Sequence, residues 1–350
     1  MTQVPLSKTT SIISADPSET DLDVPLDAPL EAGSEGESEL RAFAVDAQGH
    51  GERLDRVLAA QVPEFSRSYL QQLIADGAVQ VNGQPILRSA QRVKAGDRGQ
   101  VELRPTPQSQ AFQPEPMALE VVYEDAHLLV VNKPPGLVVH PAPGHWRGTL
   151  LNGLLARDAR AATLPRAGIV HRLDKDTSGL MVVARDRPTM DALVRLIAAR
   201  EVSRQYLALG HRPWRGLSPR EVEAPIGRDS SNRLRMAVVD LAREGGKPAA
   251  THIELLATAD AGCWVRCTLR TGRTHQIRVH MAHLGHPLVA DTVYGGTPAA
   301  GLTRQALHAY RLAFTHPATG QPLAFLAPVP TDLAQALSAW GLGYNEALRS

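Results

Sequence analysis

The chain has 350 residues, with 37 Lys plus Arg against 36 Asp plus Glu and only two cysteines. A net charge of +1 argues on its face against a nucleic-acid partner, and two cysteines cannot build a disulfide framework. No apolar run approaches the roughly 18 to 20 residues of a membrane span, and the opening MTQVPLSKTT lacks the basic-then-apolar order of a secretory signal, so a cytoplasmic location is expected.

The whole-chain sum conceals an uneven distribution. Residues 1–40 carry nine acids and Lys8 as the one base, a net of −8, which leaves 36 bases against 27 acids, a net of +9, in the remainder. Rich in Ser, Pro and Thr and poor in aromatics, residues 1–41 bury too little apolar surface to offset their ordering entropy and are expected to be a disordered acidic tail. Residues 42–104 change in texture. RLDRVLAAQ at 53–61 sets Leu54, Val57 and Leu58 on one helical face with Arg53 and Arg56 beside it; a second helix is predicted after Ser66, with Leu70, Leu73 and Ile74 at helical spacing and Gly77 as its stop. Val79 and Val81 then alternate up to Asn82-Gly83, a hairpin signal between two short strands.

Residues 105–118 fall in a Pro-rich stretch that reads as a stiff linker. Residues 119–350 alternate strand-like runs with few helices. LEVVYED, LLVVNKP, GIV, GLMVVAR and RQYLALG are predicted strands, ATHIELLAT and CWVRCTLR a hairpin, and helices are predicted near Thr149–Arg157, Pro188–Ala199 and from His275. So many strands with so few interleaved helices predict an α+β fold with a mixed, largely antiparallel sheet.

Two segments concentrate chemistry. His171 to Ser178 packs a histidine, an arginine, two carboxylates and two hydroxyls between apolar runs; Asp174 or Asp176 can be a nucleophile, a base or a turn residue bonding neighbouring amides. In the second, Arg270, Arg273 and Arg278 with His275 and His280 form a cationic cluster where a strand turns into a helix, suited to phosphates. The histidines at 275, 280, 283 and 286 lack zincin spacing and have no carboxylate among them before Asp291, so no metal site is expected. Tyr206, near the start of a strand, is ordinarily sheet packing, and its functional alternative is a ring that stacks on a nucleobase. Cys263 and Cys267 face one side of a strand and read as buried structural thiols. No Walker or Rossmann glycine spacing occurs, which leaves nucleotide-driven chemistry and hydride transfer without support.

Taken together, HRLDKDTSGL at 171–180, Tyr206 and LRTGRTHQIRVH at 269–280 resemble the three ordered motifs of the RluA-type RNA pseudouridine synthases. The likeness extends through VVNKPPGLVVHPAPG at 130–144 and RQALHAYRL at 304–312, so 119–350 is identified as the catalytic domain. Residues 42–104 are similar to the alpha-L, or S4-like, RNA-binding module, including Arg53, Arg56 and Arg67. The combination is most similar to the RluD branch, which implies ribosomal RNA of the large subunit as partner and the helix 69 stem-loop as target.

The resemblance implies an isomerisation that needs no cofactor or metal, in which Asp174 is the catalytic acid residue. It implies that Arg278 pairs with Asp174, that Arg172 fills the gap left by a flipped uridine, and that Tyr206 stacks on the extruded base. His171, Arg273 and His275 are expected to bind substrate, the last two on the RNA backbone. Asp176 has no catalytic counterpart. Ala290 and Thr292 flank Asp291 where the family often has Gly-Asp-Pro, so local loop geometry is expected to differ. Two alternatives are a synthase acting on transfer RNA or another ribosomal site, and a non-catalytic RNA-binding assembly factor.

Overall fold

Ser66 caps a helix as its sequence context predicts, its hydroxyl accepting the Tyr69 N–H at 3.3 Å. The computed structural model containing this cap describes residues 38–63, 65–104, 111–142, 145–232 and 235–343. Most of the predicted acidic tail and residues 105–110 of the predicted linker lie outside these residues. Within them the chain divides into two compact units, one built on 38–104 and the other on 114–141 and 148–343.

The smaller unit begins with β1 (Glu39–Ala44), followed by α1 (Leu54–Gln61), α2 (Arg67–Ala75), β2 (Val79–Val81), β3 (Gln84–Pro85) and β4 (Arg98–Leu103). Its sheet order is β1-β4-β2-β3, all antiparallel. Asn82 at φ 50° and Gly83 at φ 79° make the predicted tight turn between β2 and β3. Leu54, Leu58, Leu70 and Ile74 of the helices meet Val79 and Val101 of the sheet in one core. The start of β1 corrects the expected tail boundary: Glu39, Leu40 and Arg41 belong to the sheet, paired with Leu103, Glu102 and Val101. Charged composition concealed this strand, since only Phe43 along it is buried.

The larger unit contains β5 (Glu120–Glu124), β6 (Leu128–Lys133), α3 (Leu150–Arg157), β7 (Ser178–Ala184), α4 (Arg187–Ala198), β8 (Ser203–His211), β9 (Arg220–Glu223), β10 (Ile226–Arg228), β11 (Met236–Val238), β12 (Gly246–Lys247), β13 (Ala250–Ala259), β14 (Gly262–Leu269), α5 (Gln276–His283), β15 (Leu307–Thr315), β16 (Pro322–Leu326) and α6 (Thr331–Ala339). Its main sheet runs β5-β6-β7-β15-β8-β14-β13-β9, with β16 on β15, and β10 to β12 form a small separate sheet. Only β7 and β15 pair in parallel, so the sheet is mixed and largely antiparallel. The GIV strand is reduced to a single bridge between Ile169 and Val183.

Strand alternation sorts the core into two faces. Leu129, Val131, Met181, Val183, Tyr206, Ala208, Val265 and both cysteines face α3 and α5, while Leu128, Val130, Leu180, Leu207, Leu209 and Trp264 point the other way, where Leu193 of α4 and Leu333 of α6 join the packing. Tyr206 is thereby assigned to the face that also receives Ile277 of α5. The second half of the predicted linker does not behave as a spacer: Glu115 N–H bonds the Asn152 carbonyl at 3.0 Å, and a Cβ at Gly153 would meet Met117 at 2.5 Å.

Candidate active site

The polar run at 171–177 enters β7, the strand whose first residues lie parallel to β15. Gly179, at φ 119°, permits that approach, because a Cβ there would stand 2.2 Å from the Ala309 carbonyl oxygen. The run is tied down from several sides. His171 is buried, and its Nε2 accepts the Val182 N–H at 3.0 Å, which leaves the ring proton on Nδ1; burial pushes its pKa down to about 3. Gln305 donates to the Thr177 hydroxyl at 3.3 Å, and Arg304, held by Asp332, donates to the Asp176 carbonyl at 3.1 Å. Lys133 is 1% exposed and donates to the carbonyls of Pro134, Leu137 and Lys175 at 2.8 to 2.9 Å. Burial lowers its pKa to about 7 against the opposing pull of Asp176 and Asp174.

Asp174 faces α5. Arg278 donates from NH1 to Asp174 Oδ2 at 2.9 Å, and from Nε and NH2 to both oxygens of Asp291 at 2.7 and 2.9 Å. One guanidinium thus joins two carboxylates from segments far apart in sequence. Burial works against its charge, but Asp291 and Asp174 outweigh that cost and raise its pKa. Asp291 is 2% exposed and follows Ala290, whose φ of 61° lies in the left-handed region that favours glycine. The Tyr294 ring lies 5.0 Å from the Arg278 guanidinium carbon, and its hydroxyl accepts the Met236 N–H. That hydroxyl also bonds His275 Nδ1 at 2.7 Å, which turns His275 Nε2 toward Asp174 Oδ1 at 3.7 Å. Burial lowers the His275 pKa although Asp174 resists the change.

A cavity of about 310 Å³ opens on this arrangement, lined by residues that include Arg172, Asp174, Arg204, Tyr206, Arg273 and Arg278. Arg172 is exposed. Tyr206 is 6% exposed, and burial raises its pKa, with Arg204 opposing and Asp174 adding to the rise. Arg273 lines the rim and donates to the Pro248 carbonyl at 3.0 Å.

The placement departs from the sequence reading in several respects. His171, expected to meet substrate, lines the cavity and commits one ring nitrogen to a backbone amide of β7. His275, expected on the RNA backbone, also lines the cavity, with Nε2 3.7 Å from Asp174. His280 leaves the cationic cluster altogether: it is fully buried between Thr251 and the Ala224 carbonyl at 2.8 and 2.9 Å. His286 stacks on Trp214 with ring centroids 4.9 Å apart, so the histidine run diverges. Lys133, Asp291, Tyr294 and Arg304 were not singled out as site residues, and each reaches the site through tertiary contacts that local spacing does not encode.

In the smaller unit the three expected RNA-facing arginines are unlike one another. Asp55 is fully buried; Arg53 bonds both its oxygens at 3.0 and 3.1 Å, and Arg67 adds two bonds to Oδ2. Burial alone would raise the Asp55 pKa, but these arginines and Gln71 hold it far below the usual carboxylate range. Arg53 and Arg67 remain 39% and 44% exposed, whereas the Arg56 side chain meets only Glu52 among the described residues, at 3.4 Å on the surface.

An RNA pseudouridylate synthase model matches residues 127–283, and an S4 domain model matches 52–98. The chain is 49% identical to the ribosomal large subunit pseudouridine synthase D of Neisseria meningitidis serogroup B, over 87% of this chain and 83% of that one. It is 45% identical to the protein of the same name from Xanthomonas campestris pv. campestris, over 87% and 93%. The solved structure of human RNA pseudouridylate synthase domain containing 1 superposes with a TM-score of 0.50 and 30% identity, covering 65% of this chain and 90% of that chain. Likeness of this extent along both partners shows that the chain belongs to the RNA pseudouridine synthase family.

Proposed function

We propose that this enzyme converts uridines of large-subunit ribosomal RNA to pseudouridine, with Asp174 as the catalytic carboxylate and the helix 69 stem-loop as the target. The observation that carries the reading is the 2.9 Å pair between Asp174 and Arg278 at the edge of a cationic cavity. The guanidinium favours the ionised carboxylate, the form needed whether Asp174 attacks the anomeric carbon or removes the C2′ proton. A pure RNA-binding protein has no use for a carboxylate in that position.

A uridine within folded RNA must leave its stack, at a cost of a few kcal/mol. Arg172, exposed beside the cavity, is suited to support the vacated stack, and the Tyr206 ring to pack on the extruded base. The proposed role of Asp291 and Tyr294 is to fix the Arg278 fork so that Asp174 meets substrate in one orientation. His275 is proposed as a positioning residue for the same carboxylate. Arg53, Arg56 and Arg67 are proposed to engage RNA phosphates from the smaller unit. Supporting the ribosomal target are the names of the relatives and the S4 domain match. No helix among the described residues is long and apolar enough to cross a membrane, and the proposed place of action is the cytoplasm, where ribosomal RNA is found.

The test is tritium release from C5-labelled uridine in a large-subunit RNA fragment. Asp174→Asn is expected to bring release to background while RNA affinity stays within a few fold, since the carboxylate acts on the bond and not on the phosphates. Full activity of the variant would overturn the assignment, and wild-type release from transfer RNA alone would overturn the ribosomal target.

A further inference from the structure

Arg204 lies two residues before Tyr206 on β8, so both side chains project from the same face of the strand, and both line the cavity that holds Asp174. It is 9% exposed, its side chain forms no hydrogen bond or ion pair with any described residue, and its Nε is enclosed without an acceptor. The contrast with the other buried cations is direct: Arg278 has two carboxylates and Lys133 has three carbonyls. An enclosed N–H with no acceptor is costly to the folded chain. The backbone nevertheless leaves space for it, because a Cβ at Gly272 would stand 2.9 Å from Arg204 NH1. His171, which also lines this cavity, holds a second enclosed donor: Nε2 is occupied by Val182, and Nδ1 has no partner. Arg204 is near enough to oppose protonation of that ring.

A guanidinium without a protein acceptor, lining the cavity beside an imidazole that also lacks one, fits an acceptor-rich group that bears negative charge. Phosphodiesters, which stay in solvent, can be met by exposed cations of the cavity such as Arg200 and Arg270. The enclosed position beside the Tyr206 ring fits the part of the substrate that leaves solvent, which is the base. We infer that Arg204 is a catalytic residue that holds the carbonyl edge of uracil and carries its negative charge while the base is detached from ribose. This rests on the reaction assigned above. When the C1′–N1 bond breaks, its electron pair leaves with uracil as an anion delocalised over N1, O2 and O4. The ribose is meanwhile held either as an ester of Asp174 at C1′, or as the C1′=C2′ glycal with the C2′ proton on Asp174. On rejoining, an electron pair from C5 forms the C1′–C5 bond as the ester is displaced or the proton returns to C2′. The proton at C5 is then lost and one is taken up at N1. A fixed guanidinium stabilises that anion without reorganising at the moment of cleavage and lets it turn without escaping.

The full-length chain, Arg204→Gln and Arg204→Lys would be compared in single turnovers on a ribosomal RNA fragment. The converted position would carry uridine or 5-fluorouridine, and loss of the parent nucleoside would be read after digestion. Fluorine withdraws electron density, so the departing fluorinated anion depends less on a counter-charge. Arg204→Gln is expected to slow uridine consumption roughly 100-fold, as for loss of an oxyanion donor, and 5-fluorouridine consumption by clearly less. Arg204→Lys should fall between wild type and Gln. Neither variant should melt below wild type, because no protein partner is lost. Equal defects with both nucleosides would overturn the inference, as would a melting temperature lowered by Gln and restored by Lys. A loss confined to affinity with a shallower salt slope would instead make Arg204 a phosphate contact. Wild-type chain that consumed neither nucleoside would overturn the reaction itself.

Discussion

The two units bury charge differently: among the described residues the smaller encloses no cation, whereas the larger encloses cations together with Asp291 and Asp229. The smaller one encloses a single carboxylate, Asp55, beneath Arg53 and Arg67, whose outer edges stay in water. The larger one encloses Arg204 and Arg278 at a cavity, and Lys133 on the carbonyls of the loop that carries Asp174. A buried acid under exposed arginines orients positive charge outward, toward phosphates that remain at the surface. Buried cations facing a cavity orient it inward, toward a group that must enter. In the proposed function the same side-chain chemistry separates holding an RNA from acting on one base of it.

The comparison breaks most sharply where a partner is removed. Arg278→Gln leaves Asp291 buried and uncompensated, and is expected to destabilise the larger unit by about 3–5 kcal/mol along with loss of turnover. Asp55→Ala, by contrast, frees two arginines that already reach water, so its cost in urea unfolding is expected nearer 1–3 kcal/mol. Equal losses would show that burial sign does not matter here.

Acid sharpens the same contrast. Burial holds His140 and His171 near about 3 and His308 near about 4, whereas an unfolded histidine titrates near 6.5. Below that value the unfolded chain binds protons that the folded one refuses, so this stability is complete above about pH 6.5 and is lost as pH falls toward 4. Asp55 has a depressed pKa and gives up its contribution only below the ordinary carboxylate range. Fluorescence of Trp264, 1% exposed in the larger unit, is therefore expected to report unfolding at a higher pH than hydrogen exchange in α1 and α2. Coincident transitions would contradict the assignment of the acid-sensitive groups. The smallest effect falls on Arg56. Its replacement by Ala should leave the melting temperature unchanged while reducing the slope of log affinity against log salt by about 1.

What could be read from sequence follows the range of the interactions. Ser66, Thr149 and Asn82-Gly83 act on amides within a few residues, and their elements stand where spacing predicted them. Asp174 and Arg278 were paired by likeness to a family, 104 residues apart, and they meet at 2.9 Å. Asp291 and Lys133 carry no local mark that separates a clamp from a solvated charge; their partners are set by how β6, β7 and α5 come together. His280 misled because a histidine in a basic stretch looks like its neighbours, and only helix phase turned it inward.

The paired thiols of β14 have a practical consequence. Cys263 and Cys267 are both fully buried, and burial pushes the first up to about 12 and the second higher still, so neither offers a thiolate to an alkylating reagent at neutral pH. The natural chain is therefore already a silent background for thiol chemistry, and one cysteine introduced on the exposed surface of α1 would carry a fluorophore or spin label without any native residue being removed.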